Sequence, residues 1–166
     1  MRFYTKQPPF YCGIDWHART LYVCIGNHNG EMLGHHNYTA NPETFLQVIA
    51  PSRDDIVVAV AGIFTWYWLA DLGARAGITC VLGHARSMQA IHGGKAKNDR
   101  IDAQKIAVLL RGGRLPQAYV YPAEMRATRA LLRRRIPLRR KRAECLPHGP
   151  QTHSQDQLPA LGKQMA

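Results

Sequence analysis

The run Ile56-Val57-Val58-Ala59-Val60 most constrains the fold, because an unbroken apolar, β-branched stretch following Asp54 and Asp55 suits a strand covered on both faces. A helical pattern over Phe64–Ala76 follows it, with Gly77 as its stop, and a second apolar run at Ile78–Leu82. Strand, helix and strand in that order predict a parallel crossover. Upstream, Tyr11–His17 and Thr20–Gly26 are β-rich, and Asn29-Gly30 signals a tight hairpin into a third strand, Glu31–Tyr38. Asn41-Pro42-Glu43-Thr44 reads as a helix start, with Asn41 as N-cap and Pro42 at the first position, the helix ending near Pro51. Ala85–Ile91 and Asp99–Leu110 read as later helices, the second stopped at Gly112-Gly113. Three antiparallel strands followed by alternating helices and parallel strands outline an α/β, ribonuclease-H-like mixed sheet.

At 166 residues the chain has room for one core with additions. The expected organisation is an N-terminal extension over residues 1–9, an α/β domain over 10–121, an Arg-rich helix over 122–145 and a flexible polar tail over 146–166. Pro137 is expected to kink or stop the Arg-rich helix. No internal repeat is evident.

Lys and Arg number 22 against 11 Asp and Glu, a formal charge of +11 that favours a polyanionic partner, nucleic acid first. Much of that charge lies in Arg126, Arg129, Arg133, Arg134, Arg135, Arg139, Arg140, Lys141 and Arg142, with few acids interleaved. A solvated helix face is the ordinary reading of a charge run; here phosphate contact is favoured. The N-terminus has no secretory apolar run, and Ile56–Ala70 is too short to span a bilayer, so a cytoplasmic chain without membrane association is expected. Cys12, Cys24, Cys80 and Cys145 form no CxxC pair, so reduced, mostly buried thiols are expected. The eight histidines show no HxxxH spacing on a helix, which argues against a histidine metal site.

Asp99 and Asp102, three residues apart, share a helix face. Favourable interaction with the helix dipole is the ordinary reading of either alone. Asp15, in the strand motif CGIDWH, occupies a place where burial makes an acid costly unless it is paired or bound to metal. Clustered acids in a basic protein suit divalent-ion-assisted phosphodiester cleavage. Trp66, Tyr67 and Trp68 are read as core before base-stacking residues. Gly93-Gly94-Lys95 lacks the upstream glycine and the Ser or Thr of a phosphate loop, leaving a basic loop beside the acids, in which Lys95, Lys97 and Arg100 are placed to hold a phosphate.

Four blocks in order, YCGIDWHART, IFTWYWLADL, IHGGKAKNDRIDAQKIAVLLRGG and LPQAYVYPAEMRATR, resemble the N-terminal domain of the insertion-sequence DEDD transposases, associated with bridge-RNA-guided recombination. The resemblance implies a RuvC-like domain in which four acids, in the order Asp, Glu, Asp, Asp, bind Mg2+ or Mn2+ and process DNA strands. Asp15, Asp99 and Asp102 match the first, third and fourth as catalytic and metal-binding residues. The second is replaced, because the strand before FTWYW ends in VVAVA and places Ala61 there. The family continues into a C-terminal domain with a nucleophilic serine; neither Ser87 nor Ser154 matches it. A truncated domain with impaired strand exchange is therefore expected, its partners DNA, a structured guide RNA and further copies of itself. A non-catalytic nucleic-acid-binding or subunit-association module and a RuvC-like junction nuclease are the alternatives.

Overall fold

The computed structural model describes residues 2–61, 66–91 and 98–157. Its elements are β1 (Phe10–Trp16), β2 (Thr20–Asn27), β3 (Met32–Thr39), α1 (Pro42–Ile49), a 3-10 turn over Ala50–Asp55, β4 (Ile56–Ala61), α2 (Tyr67–Ala76), β5 (Thr79–Gly83), α3 (Ala85–Ile91), α4 (Asp99–Arg111), α5 (Ala123–Cys145) and α6 (His148–Gln155). The five strands form one sheet in the order β3-β2-β1-β4-β5. β1 pairs antiparallel with β2 and β2 with β3, while β1 and β4, and β4 and β5, run parallel. This is the ribonuclease-H-like α/β sheet, with the first strand of the chain at its centre.

The local signals act as expected in several places. Asn41 accepts a hydrogen bond from the Thr44 N–H at 2.7 Å, with Pro42 opening α1. Gly77 ends α2 in the left-handed region at φ 72°, which glycine enters without the steric cost of a Cβ. Of the segment expected as the second helix, Tyr67–Ala76 is helical, and Phe64 and Thr65 lie outside the described residues.

Alternation along β1 divides the core. Cys12, Ile14 and Trp16 join Val58, Val60, Phe45 and Ile49 of α1, and Leu69 and Leu72 of α2, in one cluster. Tyr11 joins Val57, Ala59 and Val81 with Ile106, Leu109 and Leu110 of α4 in another. Helices thus cover both faces, as the continuous apolar run of β4 requires. Trp66 is buried, and Trp68 packs edge-on against Trp16 at 4.7 Å between ring centroids, in agreement with the core reading of these aromatics. Cys12 and Cys24 are buried, Cys80 is partly so and Cys145 is exposed, all as free thiols.

The chain divides into two compact units, one ending at Tyr119 and one beginning at Val120. Among the described residues, every buried apolar side chain falls between Tyr4 and Pro116. The second unit contains α5 and α6, and α5 buries no residue. Of the two outcomes expected at Pro137, a stop is not seen: it lies inside α5 without ending it, and the Leu, Arg and Lys residues around it are strong helix formers that outweigh one missing N–H donor. Nor is the segment after residue 145 wholly irregular, since His148–Gln155 closes into α6, where Thr152 also donates its hydroxyl to the His148 carbonyl at 2.9 Å. Among the described residues no helix is long and apolar enough to cross a membrane.

Candidate functional site

Asp15 is the penultimate residue of β1, and strand periodicity sends it to the same face as Tyr11 and Gly13, the face covered by α4. Gly13 sets the distance between strand and helix. A Cβ there would collide with the Ala103 carbonyl oxygen and stand 2.5 Å from the Ala107 nitrogen, both backbone atoms of α4. Only glycine therefore permits this approach. The small residues Ala103 and Ala107 complete the close packing.

The buried stripe of α4 comprises Ala103, Ile106, Ala107, Leu109 and Leu110, at helical spacing. Asp99 continues that stripe one turn toward the helix N-terminus, beside the end of β1. At the other end of the helix, Arg111 donates to the His28 carbonyl at 3.2 Å and its own carbonyl accepts from Gln7 at 3.4 Å, so α4 runs antiparallel to β1. Asn98 caps the helix start, accepting from the Arg100 N–H at 3.0 Å.

The two aspartates meet at a third residue. Nε2 of His17 lies 3.1 Å from Oδ1 of Asp99 and 3.5 Å from Oδ2 of Asp15. One donor atom from each of Asp15, His17 and Asp99 falls within 4.8 Å of the others, close enough to share one ion. Oxygen donors with one imidazole suit a divalent cation such as Mn2+. Asp102 stands apart from this group, with Lys105 Nζ 3.4 Å from its Oδ1, although its charge still reaches Asp15. The Asp15 carboxyl is held above the ordinary range. Burial is the chief cause and the neighbouring Asp99 and Asp102 charges add to it, against opposing contributions from His17 and the Trp16 backbone.

Ala61 closes β4 on the same side of the sheet. Ile14 pairs with Val60, so the next residues along the parallel strands are Asp15 and Ala61. The Ala61 side chain packs with the α4-facing cluster and offers no donor atom.

A family model described as transposase, for the IS110-type DEDD proteins, matches residues 12–146. The chain belongs to this transposase family. No curated protein matches it. Among solved structures, T. thermophilus RuvC, determined in complex with a Holliday junction substrate, aligns over 66% of this chain and 99% of its own, at 16% identity and a TM-score of 0.43.

The remaining candidate residues of the transposase chain fall in both units, and two of them have no described placement. Lys95 and Lys97 lie outside the described residues. Arg100 is exposed on α4, and its charge, after burial, helps to hold His35 of β3 below the ordinary histidine range. In the second unit, Arg126 donates Nε–H to the Tyr121 carbonyl at 3.3 Å, and the Arg129 guanidinium lies over the Tyr121 ring at 4.7 Å from its centroid. Arg133, Arg134, Arg135, Arg139 and Arg140 are exposed along α5.

His17 is the member of this cluster that sequence reasoning did not single out. The expected absence of a histidine at a metal site rested on helical HxxxH spacing, whereas Asp15 and His17 stand two apart at a strand end. Period two puts both on one face, and the signal was present in the triplet Asp15-Trp16-His17.

Proposed function

We propose that this transposase domain binds DNA or RNA together with a divalent metal for strand cleavage and recombination, and that Ala61 impairs it. The observation that carries the reading is the meeting of Asp15 and Asp99, from opposite ends of the first unit, at one imidazole nitrogen. Asp15, Asp99 and Asp102 would hold Mg2+ or Mn2+, which supplies water activation and stabilisation of the leaving oxygen in phosphodiester chemistry. In its raised-pKa state Asp15 holds a proton more readily than a solvated carboxyl, so cation binding there competes with protonation. Lys95, Lys97 and Arg100 are proposed to hold the phosphate beside the acids, and the arginines of α5 the flanking nucleic acid. DNA, a structured guide RNA and a second copy of the chain are the proposed partners.

A non-catalytic nucleic-acid-binding module is the second reading. It is favoured by α5, whose nine cations from Arg126 to Arg142 sit on a helix with no buried residue. Calorimetric titration of Mg2+ and Mn2+ into the native chain, Ala61→Glu and Asp102→Asn, paired with cleavage of branched DNA, separates the two. The catalytic reading expects weak native binding, at least tenfold tighter binding with Ala61→Glu, and metal-dependent cleavage by that variant. If all three proteins bind metal equally poorly and none cleaves, the module reading replaces it.

A further inference from the structure

We propose that His17 is itself a ligand of the metal, a nitrogen donor standing with Asp15 and Asp99, and that it makes the centre select Mn2+ over Mg2+. The inference rests on the metal-binding reading above and adds to it a residue and a selectivity.

The first support is geometric. Metal–ligand bonds of about 2.1 Å place neighbouring donors of an octahedral shell roughly 3 Å apart. The separations of 3.1 Å and 3.5 Å from His17 Nε2 to the two carboxylates have that spacing. The same nitrogen faces both oxygens, and a single N–H can be directed well at only one acceptor. In the other tautomer this nitrogen carries a lone pair, which is what a metal ligand needs.

Placement gives the second support. The His17 backbone N–H donates to the Thr20 carbonyl at 2.9 Å, closing the turn between β1 and β2 and fixing the residue just beyond the strand end. Trp16 is turned into the opposite core, which leaves Asp15 and His17 together on the α4 side. On the neighbouring strand Ala61 contributes only a methyl group. His17 therefore supplies a donor to a site where β4 supplies none.

Selectivity follows from donor chemistry. All-oxygen sites suit Mg2+, which favours carboxylate and water, whereas imidazole binds first-row transition ions better, and Mn2+ accepts both. Exchanging a carboxylate for an imidazole at one position shifts preference toward Mn2+.

The test uses the full chain with Mn2+ and Mg2+ as probes. Affinities are measured by calorimetry, and the spin-echo modulation of bound Mn2+ reports nitrogen coupling from a ligated imidazole. His17→Ala is expected to weaken Mn2+ binding at least tenfold, to abolish the nitrogen coupling and to narrow the Mn2+/Mg2+ ratio. His17→Asp should restore binding without the coupling and move the ratio toward Mg2+. His17 is half-exposed, and circular dichroism of each variant checks that the fold is retained. If His17→Ala keeps Mn2+ affinity and coupling while Asp15→Asn loses binding, the acids hold the ion alone; the metal reading stands and His17 is not a ligand. Tighter binding in His17→Ala would make the imidazole an internal counter-ion and overturn the inference. If Mn2+ fails to bind, or binds equally well to Asp15→Asn, the metal reading itself fails and the inference falls with it.

Discussion

Asp15 is partly withdrawn from water and lies near the Asp99 and Asp102 charges, a cost that His17 and the Trp16 backbone offset only in part. Its folded pKa is raised, so this group's contribution to stability is fully present below its unfolded value and is lost as pH rises through the folded one. Asp15→Asn should therefore raise the urea midpoint of the metal-free chain at about pH 7, with the advantage shrinking toward pH 3 as the native carboxyl protonates. Equal midpoints at neutral pH would mean that His17 already compensates the charge. At this scale residue type spoke clearly in the sequence: an acid amid the apolar residues of β1 and two acids on one helix face were visible without coordinates. What was not visible was which acid stays with Asp15. The strand end and the first turn of α4 bring Asp99 to His17, while Asp102 turns to Lys105.

Between elements, the packing of α4 on β1 determines whether the site exists. The atoms a Gly13 side chain would meet are helix backbone and cannot rotate away. Gly13→Ala should cost about 2–3 kcal/mol in equilibrium unfolding, at the upper end of overpacking penalties. It should also weaken metal binding more than its loss of stability alone explains, because α4 must lift from the strand. Unchanged stability would show that the helix can slide without cost. The elements themselves were largely legible, since Asn41-Pro42 and Gly77 act through local hydrogen bonding and backbone freedom. Gly13 was not, because its reason is a partner helix distant in sequence. In α5 the helical preference of a run of residues prevailed over Pro137, a competition that a single breaker rule does not weigh.

For the whole molecule, the division of the chain at Tyr119 makes the core unit and the basic unit experimentally divisible. All buried apolar side chains among the described residues precede Val120. A chain ending at Tyr119 is thus expected to unfold cooperatively with a midpoint near that of the full chain. Its affinity for duplex DNA or RNA should fall, and the slope of log affinity against log salt should flatten by about 0.9 for each phosphate that the arginines no longer neutralise, several units in all. An unchanged slope would move the binding surface off α5.

The position of β1 bears on timing as well as on shape. It is the first of this sheet's five strands to be made and the central one, while α4, which brings Asp99, is the last helix of the first unit. On a ribosome, Asp15 and His17 emerge long before the residue they must meet. A nascent chain can pair its first three strands, yet it has no assembled centre until α4 has left the exit tunnel. Asp15, His17 and Asp99 come together only once the whole first unit has been synthesised.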